Sequence, residues 1–141
     1  MKKGIFNFLQ SILGDKKKKK TFEDSLSNNQ LTLLKYRLEK YMHQQKPYLK
    51  AGFSIKDMAT DLNIQPYQLS AFINHEIGMH FTDYINKFRI EYCELMMRSE
   101  LAARLNLKEL AFKCGFNNRN SFTAAFKKFT GEKPSDYLKL H

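Results

Sequence analysis

Two segments of the sequence, residues 66–76 and 118–129, separate polar from apolar side chains when drawn as helices. A helix turns by about 100° per residue, so side chains three or four positions apart share a face. In the second segment, the face opposite the aromatic residues carries amides, hydroxyls and cations, and no carboxylate. Such groups can hydrogen-bond to base edges and bind phosphate oxygens. Both faces are therefore candidate surfaces for binding nucleic acid.

The two polar faces supply the candidate binding residues. In the first segment, Leu69, Phe72 and Ile73 fall on the buried side, and we expect Glu76 to fall with them near the helix end. The residues predicted to face bases are Tyr67, Ser70, Ala71, Asn74, Arg119, Asn120, Thr123, Ala124 and Lys127. The residues predicted to contact phosphates are Gln68, His75, Lys128 and Lys133. With no carboxylate exposed, both faces would favour an anionic partner.

Both faces belong to an internal repeat whose copies lie about 53 residues apart. Residues 55–59 align with 107–111, and Gly78 aligns with Gly131. The matching positions are mostly core, turn and cap residues, whereas the outward positions differ. The sequence therefore predicts two similar scaffolds that present different surfaces.

The hydrophobic spacing predicts an all-α fold of about seven helices, because Gly and Pro fall only between the periodic segments. Each repeat predicts a helix-turn-helix unit, the first at about 54–78 and the second at about 107–131. A long helix at about 82–98 links them. These elements form a predicted domain at 27–141, and residues 1–26 are predicted to be a flexible basic leader.

Local signals set the predicted helix ends. Ser54 is predicted to cap a helix at 55–62, and Thr82 to cap the linker helix. Pro66 suits the first turn of the helix that it begins. A glycine at position 78 ends that helix.

The net charge of +10 is concentrated at the two ends of the chain. Residues 1–20 hold seven lysines and one aspartate, a net charge of +6. Residues 104–141 hold eight basic and three acidic residues, a net charge of +5. Residues 21–103, with nine basic and ten acidic residues, are nearly balanced. This distribution suits binding to nucleic acid or to an anionic membrane.

The sequence carries no signal for catalysis, metal binding or a cofactor, so we predict a protein that is not an enzyme and uses none. Its histidines and cysteines lack ligand spacing, and no phosphate loop or nucleophile motif occurs. Cys93 and Cys114 are predicted to be free buried thiols in a reducing cytoplasm, with a disulfide or redox sensor as the alternative. No apolar run reaches the ~20 residues of a membrane span.

The first 20 residues allow two interpretations. Residues 5–13 place apolar side chains on one face of a possible helix, and five lysines follow at 16–20. The segment is either a solvated leader or an anchor that holds the chain at a membrane surface.

Spaced residues across 31–140 resemble the AraC/XylS family of bacterial transcription regulators. The first half matches at Ala59, Leu62, Leu69, Ser70, Gly78, Phe81, Tyr84, Ile85, Phe88, Arg89 and Ile90. The second half matches at Ala111, Gly115, Phe116, Ser121, Phe122, Phe126, Lys127, Gly131, Pro134, Ser135 and Tyr137. In that family two helix-turn-helix units, joined by a linker helix, enter successive major-groove segments on one face of DNA. The helix at 82–98 looks like that linker.

The resemblance implies sequence-specific binding to double-stranded DNA and a role in transcription. Asn120 would suit an adenine, and Arg119 a guanine or a phosphate. Ala71 and Ala124 stand where some relatives carry a long basic side chain, so they could contact at most a thymine methyl group. The second unit is more basic, and we expect it to contribute more binding energy. Because the two faces differ, the target is expected to be asymmetric.

Other interpretations remain open at this stage. One alternative is a membrane-surface helical adaptor, and a second is the cytoplasmic DNA-binding tail of a membrane sensor. A third is a protein that binds nucleic acid non-specifically through residues 16–20. The expected partners of the chain are double-stranded DNA and either RNA polymerase or another regulatory protein, with a membrane surface as a further contact of residues 1–20. It is expected to be cytoplasmic, as a stand-alone regulator, a tail or a fragment of a longer protein.

Overall fold

The computed structural model describes residues 26–140, and every regular element in that range is helical. The seven α-helices of this range are α1 (Asn28–Gln45), α2 (Ile55–Leu62), α3 (Pro66–Phe72), α4 (Phe81–Met97), α5 (Leu107–Lys113), α6 (Arg119–Thr130) and α7 (Pro134–Leu140). Short 3₁₀ helices occur at Pro47–Leu49 and Ala102–Arg104, and a π-helical turn at Ile73–Ile77. The prediction of an all-α fold is confirmed for the described residues.

Most predicted helix ends agree with the structure to within one residue, and two differ in a way that matters. The helix predicted at 66–76 is α-helical only to Phe72 and then continues as the π-turn. Thr82 was predicted to cap the linker helix, but α4 begins one residue earlier, at Phe81. Thr82 therefore lies within the first turn of α4. The predicted leader lies almost wholly outside the described residues.

The chain divides into two compact units. The described part of the first unit consists of residues 26–44 and 54–81, which include α2, α3 and nearly all of α1. The described part of the second unit consists of residues 45–53 and 82–140, which include α5, α6, α7 and nearly all of α4. Each unit therefore contains one complete helix-turn-helix.

The first unit has a core built from one side of each of its helices. The buried side chains include Leu34, Leu38, Met42, Met58, Ala59, Leu62, Leu69 and Phe72. At the edge of this core, the hydroxyl of Tyr41 donates a 2.6 Å hydrogen bond to Oδ2 of Asp61. Burial raises the pKa of Tyr41, and the hydrogen bond to Asp61 raises it further. The contact ties α1 to α2 within the unit.

The core of the second unit is dominated by aromatic residues. Phe116, Phe122, Phe126 and Tyr137 pack in sequence, with ring centroids 5.4, 5.7 and 5.3 Å apart. Edge-to-face and tilted pairs of this kind add stabilisation beyond simple burial. The rings hold α6 between the turn that precedes it and α7.

Cys93 and Cys114 lie in the same aromatic core, and both are free and fully buried. The prediction of free buried thiols is confirmed. A hydrogen bond with Cys114 raises the pKa of the Cys93 thiol, and burial raises it further. Because the thiolate is the reactive form, such a thiol is a poor nucleophile.

The described residues contain neither a candidate membrane-spanning helix nor a candidate metal site. None of their helices combines the length and the apolar character needed to cross a membrane. They also contain no cluster of three or more His, Cys, Asp or Glu side chains placed to hold a metal ion.

Candidate nucleic-acid interface

The first helix of each helix-turn-helix begins with the same reciprocal pair of hydrogen bonds. At α2, Oγ of Ser54 accepts from the backbone N–H of Asp57 at 3.2 Å, and Oδ2 of Asp57 accepts from the N–H of Ser54 at 2.9 Å. At α5, Asn106 and Glu109 make the equivalent pair, both at 2.9 Å. Each capping box satisfies two backbone donors that the helix leaves unpaired. The predicted cap at Ser54 is confirmed.

The two turns also share their backbone geometry. Asn63 and Gly115 occupy equivalent positions and both have positive φ, at 57° and 93°. The next residue in each turn donates its backbone N–H back to the preceding helix. Ile64 donates to the Ala59 carbonyl at 2.9 Å, and Phe116 to the Ala111 carbonyl at 3.0 Å. The repeat seen in the sequence is therefore a repeat of hydrogen-bonding geometry.

The second turn needs a glycine for a further reason. A Cβ atom at Gly115 would collide with the carbonyl oxygen of Tyr48 and press on Arg89. The Arg89 side chain crosses this region, and its guanidinium carbon lies 5.3 Å from the centre of the Phe116 ring. The turn that orients α6 is thus packed against the segment at 45–53 and against α4.

Helix α6 presents the polar face that was predicted from its sequence. Oδ1 of Asn118 caps the helix by accepting the backbone N–H of Ser121 at 2.8 Å. The predicted base-facing residues Arg119, Asn120, Ala124 and Lys127 are exposed, and Thr123 is half-buried. The helix contains no Asp or Glu. Its outer side is therefore a polar, cationic ridge twelve residues long.

Helix α3 presents a smaller and less polar surface. The Tyr67 side chain is 55% exposed. The other predicted base-facing residues, Ser70, Ala71 and Asn74, are half-buried. The helix itself has seven residues, and its N-cap Gln65 makes no side-chain capping bond. Tyr67 is therefore the most prominent side chain on this surface.

The structure contradicts the expected position of Gln68, which was predicted to flank the exposed face and to contact phosphate. Gln68 is only 2% exposed, and its Oε1 atom has no hydrogen-bond partner among the described residues. The residue lies one turn before Phe72, which is fully buried, so the two side chains share the inner side of the helix. The sequence pattern placed Gln68 at the edge of the polar sector, where helical spacing alone does not separate buried from exposed positions.

Glu76 also differs from the prediction. It was expected on the core side, but it is exposed. The π-turn at Ile73–Ile77 is wider than an α-helical turn, so residues beyond Phe72 rotate less per position than α-helical spacing assumes. The surface of the first unit therefore includes a carboxylate next to His75, so of the two predicted faces only that of α6 is free of acidic side chains.

Of the other predicted phosphate-binding residues, His75, Lys128 and Lys133 are exposed. Lys128 has an ionic partner that the sequence did not indicate. Its Nζ atom lies 2.7 Å from both carboxylate oxygens of Asp83, in the first turn of α4. Forty-five positions separate the two residues, so no local pattern could have revealed the pair.

The comparisons with known proteins agree with this geometry. Residues 58–140 match the model of a family described as a helix-turn-helix domain. The chain is 30% identical over 92 residues to the "uncharacterized transcriptional regulatory protein YesN" of Bacillus subtilis (strain 168), an alignment covering 64% of this chain and 24% of that protein. The chain spans between 24% and 40% of the first curated relatives that it matches.

Two solved structures are similar in both fold and sequence. One is the C-terminal domain of AraT, a response regulator from Geobacillus stearothermophilus, with a TM-score of 0.62 and 30% identity, covering 75% of this chain and 84% of that one. The other is a protein of unknown function from Listeria innocua, with a TM-score of 0.63 and 31% identity, covering 77% and 97%. The family model, the relatives and the paired capped turns agree, and the chain belongs to the AraC/XylS type of the helix-turn-helix family.

Proposed function

We propose that this chain binds double-stranded DNA in a sequence-specific manner and acts in the control of transcription. The observation that carries the proposal is the outer side of α6, where Arg119, Asn120 and Lys127 are exposed on a helix that contains no carboxylate. An α-helix fits the major groove, which is roughly 12 Å wide. A cationic, amide-bearing helix face matches both the phosphates and the base edges of that groove.

In the proposed complex, α6 reads bases through its first turns. Asn120 makes a bidentate contact with an adenine, and Arg119 binds a guanine or a neighbouring phosphate. Thr123 and Ala124 lie one turn further along the helix and contact a base edge or a thymine methyl group. Lys127 lies at the far end of the base-facing surface, where we expect its ammonium group to bind the phosphate backbone together with those of Lys128 and Lys133.

Helix α3 and the π-turn that follows it make a second, different contact in the same proposal. Its contribution comes from Tyr67, Ser70, Ala71 and Asn74, with His75 at the phosphates. These side chains carry less positive charge than those of α6, and Glu76 is exposed beside them. The two helices therefore read different sequences, so the target is asymmetric.

The regulatory role is supported by the relatives, several of which are described as transcriptional regulators. Because the chain spans less than half of those proteins, the signal and the partners are part of the proposal. RNA polymerase or another regulatory protein is the expected partner, and the cytoplasm the expected location. The family match does not favour a membrane-surface adaptor, and residues 1–20, on which that alternative depends, lie outside the described residues.

Selection from a randomised pool of duplex DNA tests the proposed function directly. We expect the full chain to enrich one asymmetric motif made of two different blocks. A chain carrying Arg119→Ala and Asn120→Ala is the matched control, and it should lose the block that α6 reads while retaining the other. Enrichment of no motif at moderate salt would contradict sequence-specific binding. Two identical inverted blocks would contradict the asymmetry.

A further inference from the structure

The two lysines in the last turn of α6 differ in their surroundings. Lys127 and Lys128 are adjacent and both exposed, yet only Lys128 has an ionic partner among the described residues. Its Nζ atom lies 2.7 Å from both Oδ1 and Oδ2 of Asp83. The side chain of Asp83 is 30% exposed and that of Lys128 is 58% exposed. The pair is therefore accessible, and an anion arriving at Lys128 can compete with the carboxylate.

From this contact we infer that Asp83 sets how strongly the second unit binds the DNA backbone, by holding Lys128 until a phosphate displaces it. The inference rests on the proposed function, because Lys128 is one of the residues proposed to bind phosphate. One ammonium group cannot keep a close bidentate contact with Asp83 and also direct all its hydrogen bonds to a phosphate. In the inferred complex, Lys128 therefore exchanges one anionic partner for another.

This exchange has a distinct salt signature. A lysine without a partner that binds a phosphate releases one counterion from DNA, which steepens the dependence of log K on log salt by about 0.9. When Lys128 leaves Asp83, the freed carboxylate attracts cations from solution and offsets part of that release. Lys127 should therefore contribute a full increment to the salt dependence, and Lys128 a smaller one.

The internal repeat provides a matched control for the carboxylate. Asp136 stands at the position equivalent to Asp83, in the first turn of α7, and it is exposed. The described residues give Asp136 no ion pair. Asp136→Asn thus removes the same charge from the same unit without releasing a lysine.

The test measures binding of the full chain to a mixed-sequence duplex of about two helical turns over a series of KCl concentrations. We expect Asp83→Asn to bind about two- to fivefold more tightly at low salt, the range of an exposed ion pair. Its salt slope should be steeper by up to about 0.9. Asp136→Asn should leave the slope unchanged, and Asp83→Asn combined with Lys128→Gln should lose the gain.

Circular dichroism and thermal unfolding check that each variant is folded, and Asp83→Glu should keep the behaviour of the native chain. A second comparison does not use Asp83 variants: Lys127→Gln should lower the salt slope by about 0.9, and Lys128→Gln should lower it by less. The inference is overturned if Asp83→Asn behaves like Asp136→Asn, or if Lys128→Gln costs as much as Lys127→Gln, while the proposed function stands. If the native chain binds neither this duplex nor any selected sequence, both fail.

Discussion

The Nε–H group of Arg89 donates a 2.7 Å hydrogen bond to the backbone carbonyl oxygen of Tyr48. The same guanidinium donates to the carbonyl of Lys50 and to Oδ1 of Asn86, both at 3.3 Å, and lies over the Phe116 ring. Desolvation by burial lowers the pKa of Arg89. One half-buried cation thus joins the 3₁₀ helix at Pro47–Leu49, the linker helix and the turn before α6.

Replacing Arg89 by Met should lower the free energy of unfolding by about 2–3 kcal/mol, because the Tyr48 and Lys50 carbonyl groups each lose a charged hydrogen-bond donor while the aliphatic packing is kept. Lys at this position keeps the charge but not the planar fork, so we expect an intermediate loss. Arg37→Met is the matched control, since Arg37 donates to one carbonyl, that of Leu62, at 3.2 Å. Equal losses for Arg89→Met and Arg37→Met in denaturant unfolding would argue against the joining role.

Gly115→Ala tests the close approach at the second turn. The substitution introduces a Cβ at φ 93° and drives it against the Tyr48 carbonyl oxygen. Left-handed strain and overpacking together should cost about 2–4 kcal/mol. Gly131→Ala meets no neighbouring atom at φ 80°, so it should cost only about 1–2 kcal/mol. Thermal unfolding that ranks Gly131→Ala as the more damaging change would contradict this account.

Gln68→Met tests the revised position of that side chain. A buried amide oxygen without a hydrogen-bond partner is unfavourable, so an apolar side chain of similar length should leave stability unchanged or raise it by about 1 kcal/mol. DNA affinity should stay within about twofold of the native value, a change of about 0.4 kcal/mol. His75→Ala is the comparison, because His75 was also predicted to contact phosphate and it is exposed. A large loss of affinity in Gln68→Met alone would show that the amide does reach DNA.

The alkaline stability of the protein should depend on Tyr41. Its pKa is raised above the ordinary value of 10, so the unfolded chain loses the phenolic proton first as pH rises. Stability from this group is therefore fully present below pH 10 and is lost as pH increases toward the folded pKa. Tyr41→Phe should flatten that decline, whereas Tyr36→Phe, at an exposed position, should not. An unchanged decline in Tyr41→Phe would exclude the assignment.

Much of the scaffold was predictable because its determinants are local. The bounds of α2 follow from Ser54, from the apolar spacing after it, and from the turn at Asn63. The outer face of α6 was also predicted, since helical spacing across twelve residues separates Phe122 and Phe126 clearly from the polar side. Short-range patterns of this kind are visible in a single sequence.

Two kinds of feature could not be predicted from the sequence: irregular backbone, and contacts between residues that are far apart along the chain. The π-turn at Ile73–Ile77 breaks the regular rotation on which the position of Glu76 was based. Asp83 pairs with Lys128, which lies 45 positions away in the sequence, and Arg89 bonds to Tyr48, which lies 41 positions away. Such pairs are set by the packing of whole helices, which composition and periodicity do not specify.

The two reading helices should contribute unequally to DNA binding. Arg119 and Lys127 are exposed cations on an acid-free helix, whereas Tyr67 and Asn74 lie on a surface that includes Glu76. We expect Arg119→Ala to cost about 1–3 kcal/mol of binding free energy and to relax base preference at one position. Lys127→Ala should weaken binding to all sequences and reduce the salt slope by about 1. Tyr67→Ala and Asn74→Ala should each cost less in anisotropy titrations with the selected duplex. If the α3 variants lose as much affinity as the α6 variants, the greater positive charge of the second unit does not set the balance between them.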